Sequence, residues 1–285
     1  MTKKKNPRDL LNRILSIKET LPKKQKALCN YIVENYQSLG LLTVAELAKA
    51  ANVGISTVMN VTKRLGYHSY AELRKDLYEV SSASTWWHLK ESFREDKRFT
   101  DPLSSIWEEI DEKLSKTLTP SLIENFYKAI HYILEAKTVH ILGLRTSKPI
   151  ALYFEQLLQE FYPKTKQLSF DSEFVYDRIL TFDPEDILFV IAHSPYTNLT
   201  LEATQFCYQQ GHHIILLTDH LSCPITPYAS AILKVETSEN QYTIVPSIAL
   251  VEALVIEIGR QTSNQSIQHL EKIESILAEK RITRS

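Results

Sequence analysis

The chain has 285 residues, a net charge of −1 and 44% hydrophobic residues. That length holds about two domains with their own cores. The composition excludes a disordered or fibrous chain, and no apolar run reaches the roughly 18–20 residues that span a bilayer. The near-zero charge conceals an asymmetry: residues 1–80 carry 14 Lys and Arg against 7 Asp and Glu, which leaves 19 basic and 27 acidic residues to the remainder. A basic end of this kind points to a polyanionic partner.

The N-terminus opens Lys3-Lys4-Lys5 and stays polar, without the apolar centre of a secretory signal. The triplet is either an arm that touches a nucleic-acid backbone or a solvated tail. Cys29, Cys207 and Cys223 are scattered and odd in number. They point to a reducing cytoplasm and away from a disulfide framework or a structural zinc site.

After Pro22, an N1-type residue, Leu28, Tyr31 or Ile32, and Leu39 recur at near-helical spacing, and Gly40 supplies a stop. Thr43 is a candidate N-cap for a second helix, with Val44, Leu47, Ala48 and Ala51 on one face. Asn52-Val53-Gly54 is a tight break. A third helix is predicted over 55–65, with Val58, Val61 and Leu65 inward and Ser56, Thr57, Asn60, Lys63 and Arg64 outward; Gly66 ends it. Two short helices, a brief turn and a polar, basic second helix have the spacing of a helix-turn-helix. Hydroxyl and amide side chains can reach base edges while Lys and Arg pair with phosphates. Thr43, Ser56, Thr57, Asn60, Lys63 and Arg64 are therefore the candidate contacts to double-stranded operator DNA. Thr43 and the amides after it are placed to meet a phosphate.

The run Leu47-Ala48-Lys49-Ala50-Ala51-Asn52-Val53-Gly54-Ile55-Ser56-Thr57-Val58, with Lys63-Arg64-Leu65-Gly66-Tyr67 and Tyr70-Ala71-Glu72-Leu73-Arg74, resembles the N-terminal domain of the RpiR family of bacterial sugar-responsive regulators. Gly54 stands where the family usually has a capping Ser, and Asn60 where an Arg or another polar residue is common. The resemblance implies the fold and leaves the base sequence open.

Ser81-Ser82-Ala83-Ser84-Thr85 reads as a boundary, and Trp86-Trp87 as a pair that packs on a neighbouring domain, a second subunit or a core. The expected division is 1–80 for the DNA-binding head, 81–101 for a linker and 102–285 for a second domain. Pro102 starts an amphipathic helix carrying Ile106, Ile110, Leu114 and Leu118. Thr119-Pro120 caps and starts another, with Phe126, Ile130 and Ile133 or Leu134 inside.

From Thr138, short apolar runs alternate with helical stretches, the pattern of parallel strands and crossover helices. Strands are predicted over 139–142, 166–170, 187–192, 214–218 and 232–235, and helices over about 150–161, 172–180, 198–210 and 247–260. The expected architecture is an all-α helix-turn-helix domain followed by an α/β domain with a five-stranded parallel sheet flanked by helices. Ligands of such sheets sit beyond the carboxyl ends of the strands. Two of those ends are hydroxyl-rich and precede helices: Gly143-Leu144-Arg145-Thr146-Ser147, and His193-Ser194-Pro195-Tyr196-Thr197-Asn198-Leu199-Thr200. One such loop is usually an N-cap; two in one sheet favour a phosphate. The dinucleotide and P-loop fingerprints are both missing from the sequence.

These loops resemble the SIS (sugar isomerase) domain. Gly143 and Ser147 match its first loop, Ser194, Thr197 and Thr200 keep three hydroxyls of its third-strand loop, and Thr218-Asp219 is similar as well. Ala192 and Pro195 replace a Ser and a Gly of that loop, and Pro195 removes an amide donor. The resemblance implies a phosphorylated sugar effector held by Arg145, Thr146, Ser147, Ser194 and Thr197.

An isomerase would need a base beside the reacting carbons, with His193, Glu252 and Glu257 as candidates. No catalytic triad, zinc motif or carboxylate pair is evident, and His212-His213 lacks further ligands. The expectation is a sugar-phosphate-responsive transcriptional regulator of carbohydrate genes, not an enzyme and without metal or cofactor. It would form a homodimer or homotetramer through its second domain and a tail striped with Ile267, Leu270, Ile273 and Leu277. A sugar-phosphate isomerase with a basic extension is the alternative.

Overall fold

The computed structural model describes residues 7–18, 20–39, 42–81, 101–221, 223–238 and 243–282. Lys3, Lys4, Lys5, Trp86 and Trp87 lie outside them. The chain divides into two compact units, Met1–Glu91 and Ser92–Ser285.

The first unit is helical: α1 (Pro7–Lys18), α2 (Lys23–Leu39), α3 (Val44–Ala50), α4 (Ile55–Arg64) and α5 (Tyr70–Ser81). Its core is built from Leu10, Ile14, Leu28, Ile32, Leu47, Val58, Val61, Leu73 and Leu77, all nearly inaccessible to solvent. Each such side chain contributes roughly 1.5–3 kcal/mol on leaving water. The buried faces of α1 and α5 complete this core, so the head is larger than three helices. Asn52 adopts a left-handed conformation (φ 51°) that turns the chain between α3 and α4, and Gly66 (φ 81°) does the same after α4. Asn and Gly tolerate this region best. Behind α4, the Tyr67 hydroxyl donates to Asp76 at 2.7 Å and the Arg13 guanidinium lies 5.2 Å from its ring centroid.

The second unit opens with α6 (Pro102–Thr117) and α7 (Pro120–Glu135), each with Pro in its first turn and a side-chain cap, Asp101 or Thr119. It continues as β1 (Val139–Gly143), α8 (Lys148–Gln159), β2 (Thr165–Gln167), α9 (Val175–Ile179), β3 (Ile187–Ala192), α10 (Asn198–Gln209), β4 (His213–Thr218), β5 (Ala231–Lys234), α11 (Val245–Gln261) and α12 (Ser263–Glu279). The five strands are parallel in the order β2-β1-β3-β4-β5.

Strand periodicity of two sorts this sheet into two cores. Ile141, Phe189, Ile191, Ile215 and Leu217 face α7, α8 and α11. The residues between them, Leu142, Leu188, Val190, Ile214 and Leu216, face α9 and α10. That is why β3 and most of β4 read as unbroken apolar runs, and why β1 is buried throughout although His140 interrupts it. Both edges are occupied by side chains: Ile232 N–H donates to Asn125 Oδ1 at 3.0 Å, and the Gln167 carbonyl accepts from Arg178 at 3.1 Å.

Three expectations are revised. β2 has three residues instead of five, because the Gln167 side-chain oxygen accepts from the amides of Leu168 and Ser169 and from the Ser169 hydroxyl, turning the chain out of the sheet. The apolar stripe of α6 is only partly inward: Ile110 and Leu114 are half-buried, whereas Ile106 and Leu118 are exposed. Pro22 precedes α2 and supplies the carbonyl that accepts from Lys26 N–H, the position of a cap instead of a first helical residue.

Candidate functional site

Two places hold the residues singled out above, one in each unit. In the first, α3, the turn through Asn52 and α4 form the helix-turn-helix. Val53, at the position before the Gly54 cap, packs on the core, and Val58 four residues into the helix is buried, the arrangement of a hydrophobic staple. Val61 and Leu65 are also buried, which rolls the opposite face of α4 outward. Ser56, Asn60, Lys63 and Arg64 are exposed there, and Thr57 is half-buried. Lys63 and Arg64 stand in the last turn, where the helix dipole favours cations.

Thr43 has a different environment from that face. Its side chain and Glu46 form a capping box: Thr43 N–H and hydroxyl both donate to Glu46 Oε2 at 2.7 Å, and Glu46 N–H donates to Thr43 Oγ1 at 3.3 Å. The backbone amide of Thr43, followed by its hydroxyl, holds the Glu46 carboxyl below its ordinary range. The Glu46 carboxylate thus holds the same amide and hydroxyl that a phosphate would use, and Thr43 caps α3.

In the second unit, the strand order sets the site. The chain leaves β1 toward β2 on one side and returns as β3 on the other, so the carboxyl ends of β1 and β3 flank a topological switch point, where open α/β sheets bind ligands. Both hydroxyl-rich loops begin at this point. Gly143 ends β1, and a Cβ there would lie 2.8 Å from the Ser147 carbonyl oxygen. Only glycine lets the strand end approach the following turn so closely. That turn, Arg145–Ser147, starts with Arg145 at φ 53°, a left-handed conformation costly for a residue that carries a Cβ. Arg145 is exposed and Thr146 half-buried.

Ser147 is 3% exposed, and its hydroxyl accepts from the backbone N–H of His193 at 3.3 Å. It therefore forms the wall of the site and ties the β1 turn to the β3 loop. The next residue of that loop, Ser194, donates its N–H to Asp219 at the end of β4 (3.0 Å), and the Tyr196 hydroxyl donates to the other oxygen of Asp219 (3.2 Å). The Ser194–Pro195 bond is cis. Ser194 and Thr197 are half-buried, and Thr197 precedes α10 without using its side chain to cap it. Thr197 therefore stands at the start of α10, where the first backbone amides and the positive end of the helix dipole lie.

His193 lies behind this loop. Its Nε2 is 3.0 Å from the hydroxyl of Ser247, in the first turn of α11, and its Nδ1 has no partner. Burial lowers its pKa, against the opposing charge of Asp219, so the ring is neutral. Of the other two base candidates, Glu252 is exposed and accepts from the Tyr153 hydroxyl at 2.8 Å. Glu257 is held at about 2 by hydrogen bonds from Arg260 and Gln261, too weak a base to abstract a proton near neutrality. His212 and His213 contact different partners, the Asp186 carbonyl and Ser230. Among the described residues no group of three or more His, Cys, Asp or Glu gathers around one point.

Sequence reasoning missed two participants, Ser247 and Lys148, and gave a third, Asp219, no role. Ser247 belongs to a distant helix, and nothing local marks it. Asp219 was noticed only through family likeness. Lys148, directly after Ser147, has its Nζ 5.0 Å from the ring centroid of exposed Phe170, which adds a cation and an aromatic face beside the β1 turn. Away from the strand ends, a cavity of about 430 Å³ opens at the β2 edge, lined by Glu155, Lys166 and Arg178 among others. Arg178 is committed there to Gln167 and Asp171.

Residues 8–84 match the helix-turn-helix domain of the rpiR family, and residues 132–257 match the SIS domain. The chain joins an RpiR-family helix-turn-helix to a SIS domain. Its relatives include the HTH-type transcriptional regulator HexR of Pseudomonas aeruginosa, 23% identical over 87% of this chain and 86% of HexR. Among solved structures, the Vibrio vulnificus NanR protein complexed with ManNAc-6P superposes with a TM-score of 0.64 at 17% identity, covering 95% of this chain and 98% of NanR. The sugar isomerase domain of an RpiR transcription factor from Sphaerobacter thermophilus gives 0.58 at 20% identity, over 61% of this chain and 98% of that one. The RpiR and SIS resemblances read from the sequence are thereby shown, as is the five-stranded parallel fold.

The buried histidines carry a pH consequence. Burial lowers the pKa of His140, His193 and His220. The unfolded chain protonates these rings near pH 6.5, whereas the folded chain does not. Stability is therefore full above about pH 6.5 and declines as pH falls below it. Thermal melts of the α/β unit from pH 7.5 to 5.0 should show a falling Tm, and His193→Gln should flatten the decline. A Tm independent of pH over that range would contradict this account.

Proposed function

We propose that the chain is a DNA-binding transcriptional regulator of carbohydrate genes that responds to a phosphorylated sugar and catalyses no reaction on it. The observation that carries the reading is the combination in one chain of an outward polar and basic recognition helix with a hydroxyl-lined switch point. Ser56, Thr57, Asn60, Lys63 and Arg64 face operator DNA, the first three toward base edges and the cations toward phosphates. Arg145, Thr146, Ser194 and Thr197, backed by Ser147, receive the effector. The low basicity of Glu257, the burial of neutral His193 and the exposed position of Glu252 support binding without turnover. The ManNAc-6P bound by NanR makes phosphorylated amino sugars the first class to screen.

The protein acts in the cytoplasm as a homodimer or homotetramer. Ile267 and Leu270 are 53% and 42% exposed on α12, and Ile256 on α11 is 71% exposed, an apolar surface that a second copy would cover. Symmetric copies present paired recognition helices to a pseudo-palindromic site. The effector shifts the subunit arrangement and with it operator affinity, and operator must then shift effector affinity by the same factor. No described helix is long and apolar enough to cross a membrane.

Three measurements bear on this. Light scattering should find a dimer or tetramer, reduced in order by Ile267→Asp with Leu270→Asp; a monomeric parent chain would reject the assembly. Lys63→Ala with Arg64→Ala should weaken binding to all duplexes and flatten the log-affinity against log-salt slope by about 0.9 per lost phosphate contact. An unchanged slope takes this face off the DNA. Phosphorylated sugars should raise the Tm, by about 2.7 kcal/mol of stability at a hundredfold excess over Kd. Ser194→Ala with Thr197→Ala should remove that rise and keep operator affinity; a normal rise in the variant would relocate the effector site.

A further inference from the structure

Among the described side chains of the helical unit, one large apolar residue is exposed: Ile55, 50% accessible. It is the first residue of α4, on the helix that carries Ser56, Asn60, Lys63 and Arg64. Folding does not require it there. The staple that starts α4 is made by Val53 and Val58, and the buried face continues through Val61 and Thr62. A β-branched side chain is a middling helix former, so local propensity does not select Ile either. Gly54 before it has no side chain, and a Cβ at that position would meet only Ser56 Oγ at 3.5 Å. The approach to Ile55 is open.

Base edges in the major groove offer a single apolar group, the C5 methyl of thymine. The exposed hydroxyl of Ser56, next to Ile55, and the exposed amide of Asn60, a little over one turn further on, suit the polar base edges along the groove, and the cations of Lys63 and Arg64, more than two turns away, suit the phosphates that flank it. We infer that Ile55 is a base-specificity residue that packs on thymine C5 methyls of the operator. This rests on the DNA-binding reading above and extends it to a residue outside the polar contact set.

The test uses the full chain and operators enriched from a random-sequence duplex library. Each thymine is replaced in turn by deoxyuridine, which keeps base pairing and the O4 acceptor and removes only the methyl. At one or two positions per half-site, affinity should fall about fourfold, the effect of exposing one buried methyl group. Ile55→Ala should bind the thymine operator about as weakly as the parent binds the uracil one and should be indifferent to that replacement, while Ile55→Val keeps the sensitivity. Circular dichroism of an exposed-site variant should be unchanged. A parent protein that tolerates uracil at every position, or an Ile55→Ala variant that still responds to uracil, overturns the inference while leaving DNA binding in place. Failure to enrich any duplex in a salt-dependent way overturns both.

Discussion

The pairing of β1 with β3 is the constraint on which the α/β unit depends. Their register brings Gly143 opposite Ile191, although 47 residues of chain, including β2 and two helices, separate those positions. Two loops that begin at neighbouring strand ends can share hydrogen bonds, and they do so through Ser147 and the His193 amide. The contact closes only because Gly143 lacks a Cβ that would strike the Ser147 carbonyl. From there the His193 ring reaches Ser247 and the first turn of α11, while Asp219 holds the far side of the β3 loop. Four elements of the sheet and its cover thus meet at one point, with the hydroxyls of Ser194 and Thr197 on its outer side.

That arrangement has a use for regulation. In the proposed regulator, a ligand at the loop after β3 would pull on groups already connected to β1, β4 and α11, and α11 leads directly into α12 with its exposed Ile267 and Leu270. A buried neutral imidazole with a single hydrogen-bonded partner is a sensitive member of such a network, because leaving a second polar atom unpaired is costly. On the reading proposed above, the route from effector to subunit contact would be short in this fold and would pass through packed side chains.

The helical unit depends on shorter-range physics. Its turn and caps are local: Asn52 in the left-handed region, the Thr43–Glu46 box and the Val53–Val58 staple all span six residues or fewer. This is why the helix-turn-helix was readable from residues 43–66 almost to the helix ends. The contributions of α1 and α5 were less so, since Leu10, Ile14, Leu73 and Leu77 are buried against a core assembled from all five helices. Thr43 shows the other limit. The same N-cap hydroxyl suits a phosphate or a Glu three residues on, and the side-chain geometry chose Glu46.

Sequence alone determined the order of elements in the α/β unit, the parallel strand pattern, the inward face of α4 and the two hydroxyl-rich strand ends, because each follows from periodicity or from residues close along the chain. Family likeness in those same runs named both domains. Tertiary structure decided what each hydroxyl does. Ser147 and Thr197 look alike in a sequence, each ending a polar loop before a helix. One is buried as the acceptor of an amide 46 residues away, and the other remains half-exposed with its cap unused. Strand order decided it, since hydrogen bonds between loops depend on which strands become neighbours, and that choice is made by the packing of the whole sheet.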